Sequence, residues 1–320
     1  MNEVLTKFQK LGIIPVVKLD DAKDAVPLAK ALCEGGLPVA EVTFRTAAAE
    51  ESIRNMCKAF PDMFVGAGTV LTTEQVDRAV AAGAQFIVSP GFNPTVVKYC
   101  IDKNIPITPG ISTPSEIEQA LELGLEAVKF FPAEASGGIA KIKAMAGPYT
   151  TMRFMPTGGI NADNLTSYLD FPKILACGGS WMVSDKYINA GEFDKIRELT
   201  AEAVNKMLGF ELAHIGINCD DEEKADSTAD FFTNMFGFEK KTGNSSIFSG
   251  TGLEIMKSKY LGTNGHIAIR TNYIERAMYH LERRGLIFDP ETAKRDAKGN
   301  LKAIYATGEF GGFAVHLVQK

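Results

Sequence analysis

Along the first two thirds of the chain, short apolar and β-branched runs alternate with longer stretches whose apolar positions recur every three or four residues. The short runs read as buried strands and the longer stretches as amphipathic helices. Eight strands are predicted: IIPVVKL (13–19), VAEVTF (39–44), MFVGAG (63–68), FIVSP (86–90), IPITPG (105–110), AVKFFP (127–132), MRFMPTGG (152–159) and ILACGGS (174–180). Helices are predicted between and after them, among others at 22–33, 74–82, 115–123 and 192–208. Eight buried strands, each followed by a helix, predict an α/β fold, a (β/α)8 TIM barrel over residues 1–209.

From residue 210 the rhythm changes. A strand at 210–221 is followed by a helix at 223–236 and strands near 238–241, 246–248 and 252–257. The same order then recurs as a strand at 265–270, a helix at 274–284 and strands near 286–288, 301–306 and 312–318. A βαβββ unit repeated at a period of about 50 residues predicts an α+β domain over residues 210–320 built from two equivalent halves. No Pro- or Ser-rich linker separates the domains, so the junction near 208–210 is expected to be short.

In the first domain the polar and glycine-rich clusters fall at the C-terminal ends of strands, where barrels carry their chemistry. Lys129, within AVKFFPAE, has Val128, Phe130 and Phe131 as neighbours, which predicts an ammonium pointing into an apolar barrel. Desolvation disfavours a charged amine and frees it as a nucleophile, although a lysine on a strand end also snorkels to water. Glu41 and Thr43 alternate with Val42 and Phe44, so strand geometry aims Glu41 inward, with Arg45 at the strand's end. A buried carboxylate there is either an ion-pair partner of Arg45 or Lys129 or a proton shuttle. GAGTV (66–70) offers Thr69 beside glycines that fit a tight turn or the close approach of a ligand. PTGGI (156–160) and CGGSW (177–181) end adjacent strands in glycine pairs, which with Ser180 read as an anion cradle or as two packing turns.

These residues resemble the 2-keto-3-deoxy-6-phosphogluconate aldolase family, whose members often also cleave 4-hydroxy-2-oxoglutarate. The resemblance covers roughly residues 1–209 and is carried by EVTFRT (41–46), GAGTV, IVSPG (87–91), TPGISTPSE (108–116), KFFPAE (129–134), GPY, RFMPTGGI and GGSW. It implies a class I mechanism in which Lys129 forms an imine with the ketone of a 2-keto acid and Glu41 moves the protons. It implies that Arg45 and Thr69 bind the substrate carboxylate, with Thr157 nearby and Phe131 packing the pocket. It further implies that Gly158, Gly159, Gly178, Gly179 and Ser180 hold the distal phosphate, that no cofactor takes part, and that the chain forms a homotrimer.

The second domain holds three of the four histidines: His214, His266 and His316, with Glu254 in GLEIMK. Alternation with Ile, Leu and Val puts these four side chains on inward faces. The fourth histidine, His280, reads as a surface residue of a helix. The tandem βαβββ units resemble the glyoxalase, or vicinal oxygen chelate, superfamily, whose metal site draws one ligand from each of four such strands. His316 departs from the glutamate usual there, which is both ligand and base. A set of three histidines and a glutamate suits a borderline divalent ion such as zinc, nickel or cobalt. A packing or regulatory module without metal is the alternative.

Composition narrows the partners. With 45% apolar and 23% charged residues and a net charge of −5, the chain has the make-up of a globular protein without a basic stripe, so a nucleic-acid partner is not expected. Five cysteines without a C-x-x-C pair read as reduced and mostly buried, and the N-terminus lacks a signal-peptide or membrane-span pattern. A cytoplasmic protein acting on a small molecule is expected. Two other readings fit the same residues: a catalytically silent sugar-phosphate sensor, and a bifunctional enzyme whose second domain has its own metal-dependent activity.

Overall fold

A computed structural model describes residues 2–320. Contacts divide the chain into one compact unit ending at Met207 and another beginning at Leu208.

The first unit opens with a helix, Glu3–Leu11, that precedes every predicted strand and was not among the elements expected from periodicity. Asn2 caps it by accepting from the Leu5 N–H, Gly12 ends it in the left-handed region, and Leu5, Phe8 and Leu11 are buried. Nine short parallel strands follow: β1 (Ile13–Val17), β2 (Val39–Thr43), β3 (Phe64–Gly68), β4 (Ile87–Val88), β5 (Ile107–Thr108), β6 (Gly110–Ile111), β7 (Ala127–Phe130), β8 (Arg153–Pro156) and β9 (Cys177–Gly179). They pair in the order β5-β4-β3-β2-β1-β9 and β6-β7-β8, and single parallel bridges join Phe154 to Ile174 and Thr157 to Gly178. Except between β5 and β6, helices connect successive strands, which makes the unit an α/β fold.

One predicted strand, 105–110, is cut into β5 and β6 at Pro109, which has no N–H to donate to a ladder. Its carbonyl still accepts from the Lys129 N–H at 2.8 Å, so the register toward β7 survives the break. Phe8, Phe64 and Phe86 pack as a ring cluster with centroids 4.7–5.6 Å apart. Gly66 makes room for it, since a β-carbon there would overlap the Phe86 ring.

The second unit is an eight-stranded sheet: β10 (Glu211–Asn218), β11 (Lys240–Thr242), β12 (Ser246–Ser249), β13 (Leu253–Met256), β14 (Gly265–Thr271), β15 (Lys294–Arg295), β16 (Leu301–Tyr305) and β17 (Phe313–Gln319). Its order is β11-β12-β13-β10-β14-β17-β16-β15, so the leading strands of the two halves, β10 and β14, lie side by side and antiparallel at the centre. Helices Glu222–Phe236 and Ile274–Glu282 follow those strands in each half. The halves are not copies. The strand expected at 286–288 is reduced to a single bridge between Phe288 and Ala306, and the short β15 pairs with β16 in its place.

Candidate active site

The C-terminal ends of the parallel strands in the first unit surround a cavity of about 300 Å³. Its lining includes every residue of that unit singled out from sequence: Glu41, Arg45, Thr69, Lys129, Phe131, Thr157, Gly158, Gly159, Gly178, Gly179 and Ser180. Val16, Thr43, Pro90 and Ile160 line it as well and were given no role from sequence. For Thr43 the signal was available, because it follows Glu41 by two residues and so shares its face.

Lys129 and Glu41 form the floor. Lys129 is 5% exposed and Glu41 fully buried, and the Lys129 Nζ donates to Glu41 Oε1 at 2.9 Å. The ammonium also lies 5.5 Å from the centre of the Phe131 ring. Two further polar atoms of the cavity, Glu41 Oε2 and Thr157 Oγ1, are buried with no hydrogen-bond partner. Leaving such atoms unpaired costs about 1–3 kcal/mol each, so their retention points to a ligand that supplies the missing bonds.

Toward the rim the groups become polar, and Arg45 is exposed. The Thr43 hydroxyl donates to the Val17 carbonyl at 2.8 Å and accepts from Arg45 Nε at 3.0 Å, which turns the exposed guanidinium along the cavity edge. Thr69 holds a left-handed backbone with φ 55°, a conformation that costs a β-branched residue energy and is kept where the surroundings fix it. An amine beside a carboxylate at the floor, with a cation and hydroxyls at the rim, can take a keto acid by its carbonyl and carboxylate.

The glycines have identifiable reasons. In GAGTV both strand glycines serve packing rather than ligand approach: Gly66 faces Phe86, and a β-carbon on Gly68 would overlap Glu41 Oε1. Gly158 and Gly159 have φ of 100° and 83°, open to glycine but strained for other residues. A β-carbon on Gly178 would overlap Thr157 Oγ1, and one on Gly179 the Trp181 ring. These pairs therefore bring the backbone close to the cavity while satisfying packing.

In the second unit, register decides which side chains meet. Gly216 stands opposite both Glu254 and His266, while Ala268 stands opposite both His214 and His316. The small residues in the middle leave room, and a β-carbon on Gly216 would overlap the His266 ring. His214 Nε2 is 3.0 Å and His266 Nε2 3.2 Å from Glu254 Oε2, and one ligand atom from each of His214, His266 and His316 lies within 4.8 Å of the others. Ser246 donates to the other Glu254 oxygen at 2.7 Å.

His316 is 7% exposed, stacks on Tyr305 with ring centres 4.4 Å apart, and has no partner for either ring nitrogen; His266 Nδ1 is also unpartnered. Burial pushes the His316 pKa down to about 3, helped by the nearby His266 and His214. The unpartnered ring nitrogens of the buried His316, grouped with His214 and His266 beside the Glu254 carboxylate, fit a divalent cation such as zinc, nickel or cobalt. The expectation for His280 is corrected: it is 2% exposed and packs edge-on to Tyr279, because its helix turns that face to the sheet.

Comparison with known proteins places the first unit. Residues 4–199 match the family model described as KDPG and KHG aldolase. The chain is 51% identical over 204 residues to a 2-dehydro-3-deoxy-phosphogluconate aldolase of Haemophilus influenzae, covering 64% of this chain and 96% of that one. It is 45% identical over 192 residues to a KHG/KDPG aldolase of Escherichia coli, covering 60% of this chain and 90% of that protein. Among solved structures, a KDPG aldolase from Legionella pneumophila, with pyruvate captured at low pH as a covalent carbinolamine intermediate, superposes with a TM-score of 0.61 at 39% identity. That match covers 62% of this chain and 97% of the Legionella chain.

Proposed function

This chain belongs to the KDPG and KHG aldolase family, and on that premise we propose that it is a Schiff-base aldolase cleaving 2-keto-3-deoxy-6-phosphogluconate to pyruvate and glyceraldehyde 3-phosphate. Cleavage of 4-hydroxy-2-oxoglutarate to pyruvate and glyoxylate is the second activity of the same site. The observation that carries this reading is the buried contact of Lys129 Nζ with Glu41 Oε1 at 2.9 Å inside the strand-end cavity. The chain of strand pairings, extended by the Phe154–Ile174 and Thr157–Gly178 bridges, supports a closed (β/α)8 barrel as the frame.

The chemistry follows from the residues. Glu41 takes the proton that the Lys129 ammonium must lose, and the free amine attacks the C2 ketone to give a carbinolamine. Loss of water, with protons supplied by Glu41, leaves a protonated imine. Glu41 then accepts the proton of the C4 hydroxyl, the C3–C4 bond breaks, and its electron pair flows into the imine as the aldehyde departs. Glu41 then returns its proton to C3 of the resulting enamine, and water hydrolyses the imine so formed, releasing pyruvate and restoring Lys129. Arg45, Thr69 and Thr157 hold the carboxylate, Phe131 packs the pyruvyl portion, and Gly158, Gly159, Gly178, Gly179 and Ser180 receive the phosphate. All steps use side chains of this chain.

We read the second unit as a glyoxalase-like module in which His214, Glu254, His266 and His316 hold a divalent ion. The unpartnered, buried nitrogens of His316 support it. When bound, such an ion supplies Lewis-acid polarisation of a ligand oxygen, which would make the protein bifunctional. A cytoplasmic homotrimer completes the reading; among the described residues no helix is long and apolar enough to cross a membrane.

Borohydride reduction in the presence of pyruvate tests the main assignment: a stable adduct is expected on Lys129. An unmodified Lys129 under conditions where a known class I aldolase is trapped would instead favour a silent sensor. Metal analysis of the purified protein and of His214→Ala tests the second. Equal metal content in the two would remove the proposed site.

A further inference from the structure

Glu134 and Tyr168 lie outside the cavity, yet both are tied to its glycine rim. The Ala133 and Glu134 N–H groups donate to the carbonyls of Thr157 and Gly158 at 2.8 and 3.0 Å. The Glu134 side chain then runs across Gly159 so closely that a β-carbon there would stand 2.6 Å from Glu134 Cγ. Its carboxylate accepts a hydrogen bond from the Tyr168 hydroxyl.

Tyr168 sits on the helix Leu165–Leu169, which follows the same rim, and is 1% exposed. Its hydroxyl also faces the Ile139 N–H at the start of the helix Gly138–Ala146. Asn164, just ahead of the Tyr168 helix, donates from its side-chain amide to the Gly159 carbonyl at 3.0 Å. One buried hydroxyl thus joins three segments around Gly158 and Gly159, whereas Lys129 and Glu41 are held separately by their own pair.

We propose that Tyr168, through its hydrogen bond to Glu134, is a positioning residue that fixes the Gly158–Gly159 rim and thereby sets the preference for a phosphorylated over an unphosphorylated 2-keto acid. This rests on the aldolase reading above and on the assignment of that rim to the phosphate. Glu134 is exposed, and the hydrogen bond from the Tyr168 hydroxyl ties its side chain to the Tyr168 helix. Without it, the side chain that braces Gly159 is free to swing into water. The consequence falls on the distal end of the substrate, because the carbonyl end is gripped by a different set of residues.

The experiment compares 2-keto-3-deoxy-6-phosphogluconate with 4-hydroxy-2-oxoglutarate in the full chain and in Tyr168→Phe. The KM of the phosphorylated substrate is expected to rise about 10-fold, the worth of one such hydrogen bond, with kcat for both substrates and the KM of the unphosphorylated one unchanged. Equal changes for the two substrates, or none, overturn the proposal. Should Tyr168→Phe fail to fold, the exposed Glu134 provides the alternative. Glu134→Ala is expected to copy the selective loss, while Glu134→Gln, which removes the charge but keeps an acceptor, restores it. If Glu134→Ala and Glu134→Gln behave alike, the bond has no such role. Borohydride trapping of pyruvate in each variant separates the two failures: no adduct in the parent protein sinks the aldolase reading itself, whereas an adduct without the substrate-selective loss sinks this inference alone.

Discussion

Gly68 on β3 and Glu41 on β2 share one space: a β-carbon on Gly68 would overlap the Glu41 oxygen that binds Lys129 and would stand 2.7 Å from Glu41 Cγ. The smallest residue is therefore what lets the largest acid of the floor remain buried beside its amine. Gly68→Ala is expected to push the carboxylate off Lys129 and lower kcat/KM about 100-fold, since a displacement of this size misaligns the reacting groups. Overpacking should also lower stability by about 1–3 kcal/mol. Steady-state cleavage and a denaturant titration check both parts, and undiminished turnover would mean that Glu41 does not act from this position.

Glu41→Gln keeps the volume and removes the proton acceptor. A fall in kcat of roughly 10³-fold is expected, with slower formation of the borohydride-trappable adduct, as for removal of a general acid–base group. Pre-steady-state trapping by mass spectrometry gives the rate. A variant that forms adduct and product at the parent's rate would assign the proton transfers to another group.

A divalent ion bound by His214, Glu254, His266 and His316 should stabilise the second unit. With zinc at 100 times its dissociation constant the gain is about 2.7 kcal/mol, readable as an upward shift in one of the thermal transitions. Chelation reverses it, and His316→Ala is expected to abolish it while leaving aldol cleavage intact. An unchanged shift in His316→Ala would show that the ion sits elsewhere.

The metal-free second unit should lose stability in acid. Burial, with the nearby His266 and His214, holds the His316 pKa at about 3, below its ordinary 6.5. Between those values the unfolded chain binds a proton that the folded one refuses, so stability is fully present above pH 6.5 and declines as pH falls toward 3. At pH 5 the loss from this group is about 2 kcal/mol. Burial opposes the charge of Glu254, but hydrogen bonds from His214, His266 and Ser246 outweigh it and hold its carboxyl below the usual 4.5, which adds to the loss in stronger acid. Denaturant midpoints of the chelator-treated protein at pH 7.5 and 5.0 measure the difference. A midpoint independent of pH would mean that His316 is not buried as a neutral ring.

The sequence by itself determined what is periodic and local. Alternation in EVTF was enough to turn Glu41 and Thr43 to one face, the order of strands and helices changed rhythm near residue 210, and the glycine pairs stood out at the strand ends. What the tertiary structure decided is which distant residues share a space. The Lys129–Glu41 bond spans 88 positions, and Glu254 meets His214 and His266 because strand register brings Gly216 opposite two of them. Periodicity fixes a side chain's face but not its neighbour across a ladder, so the reason for Gly68, the burial of His280 and the hold of Tyr168 on Glu134 became visible only once the strands and helices were packed.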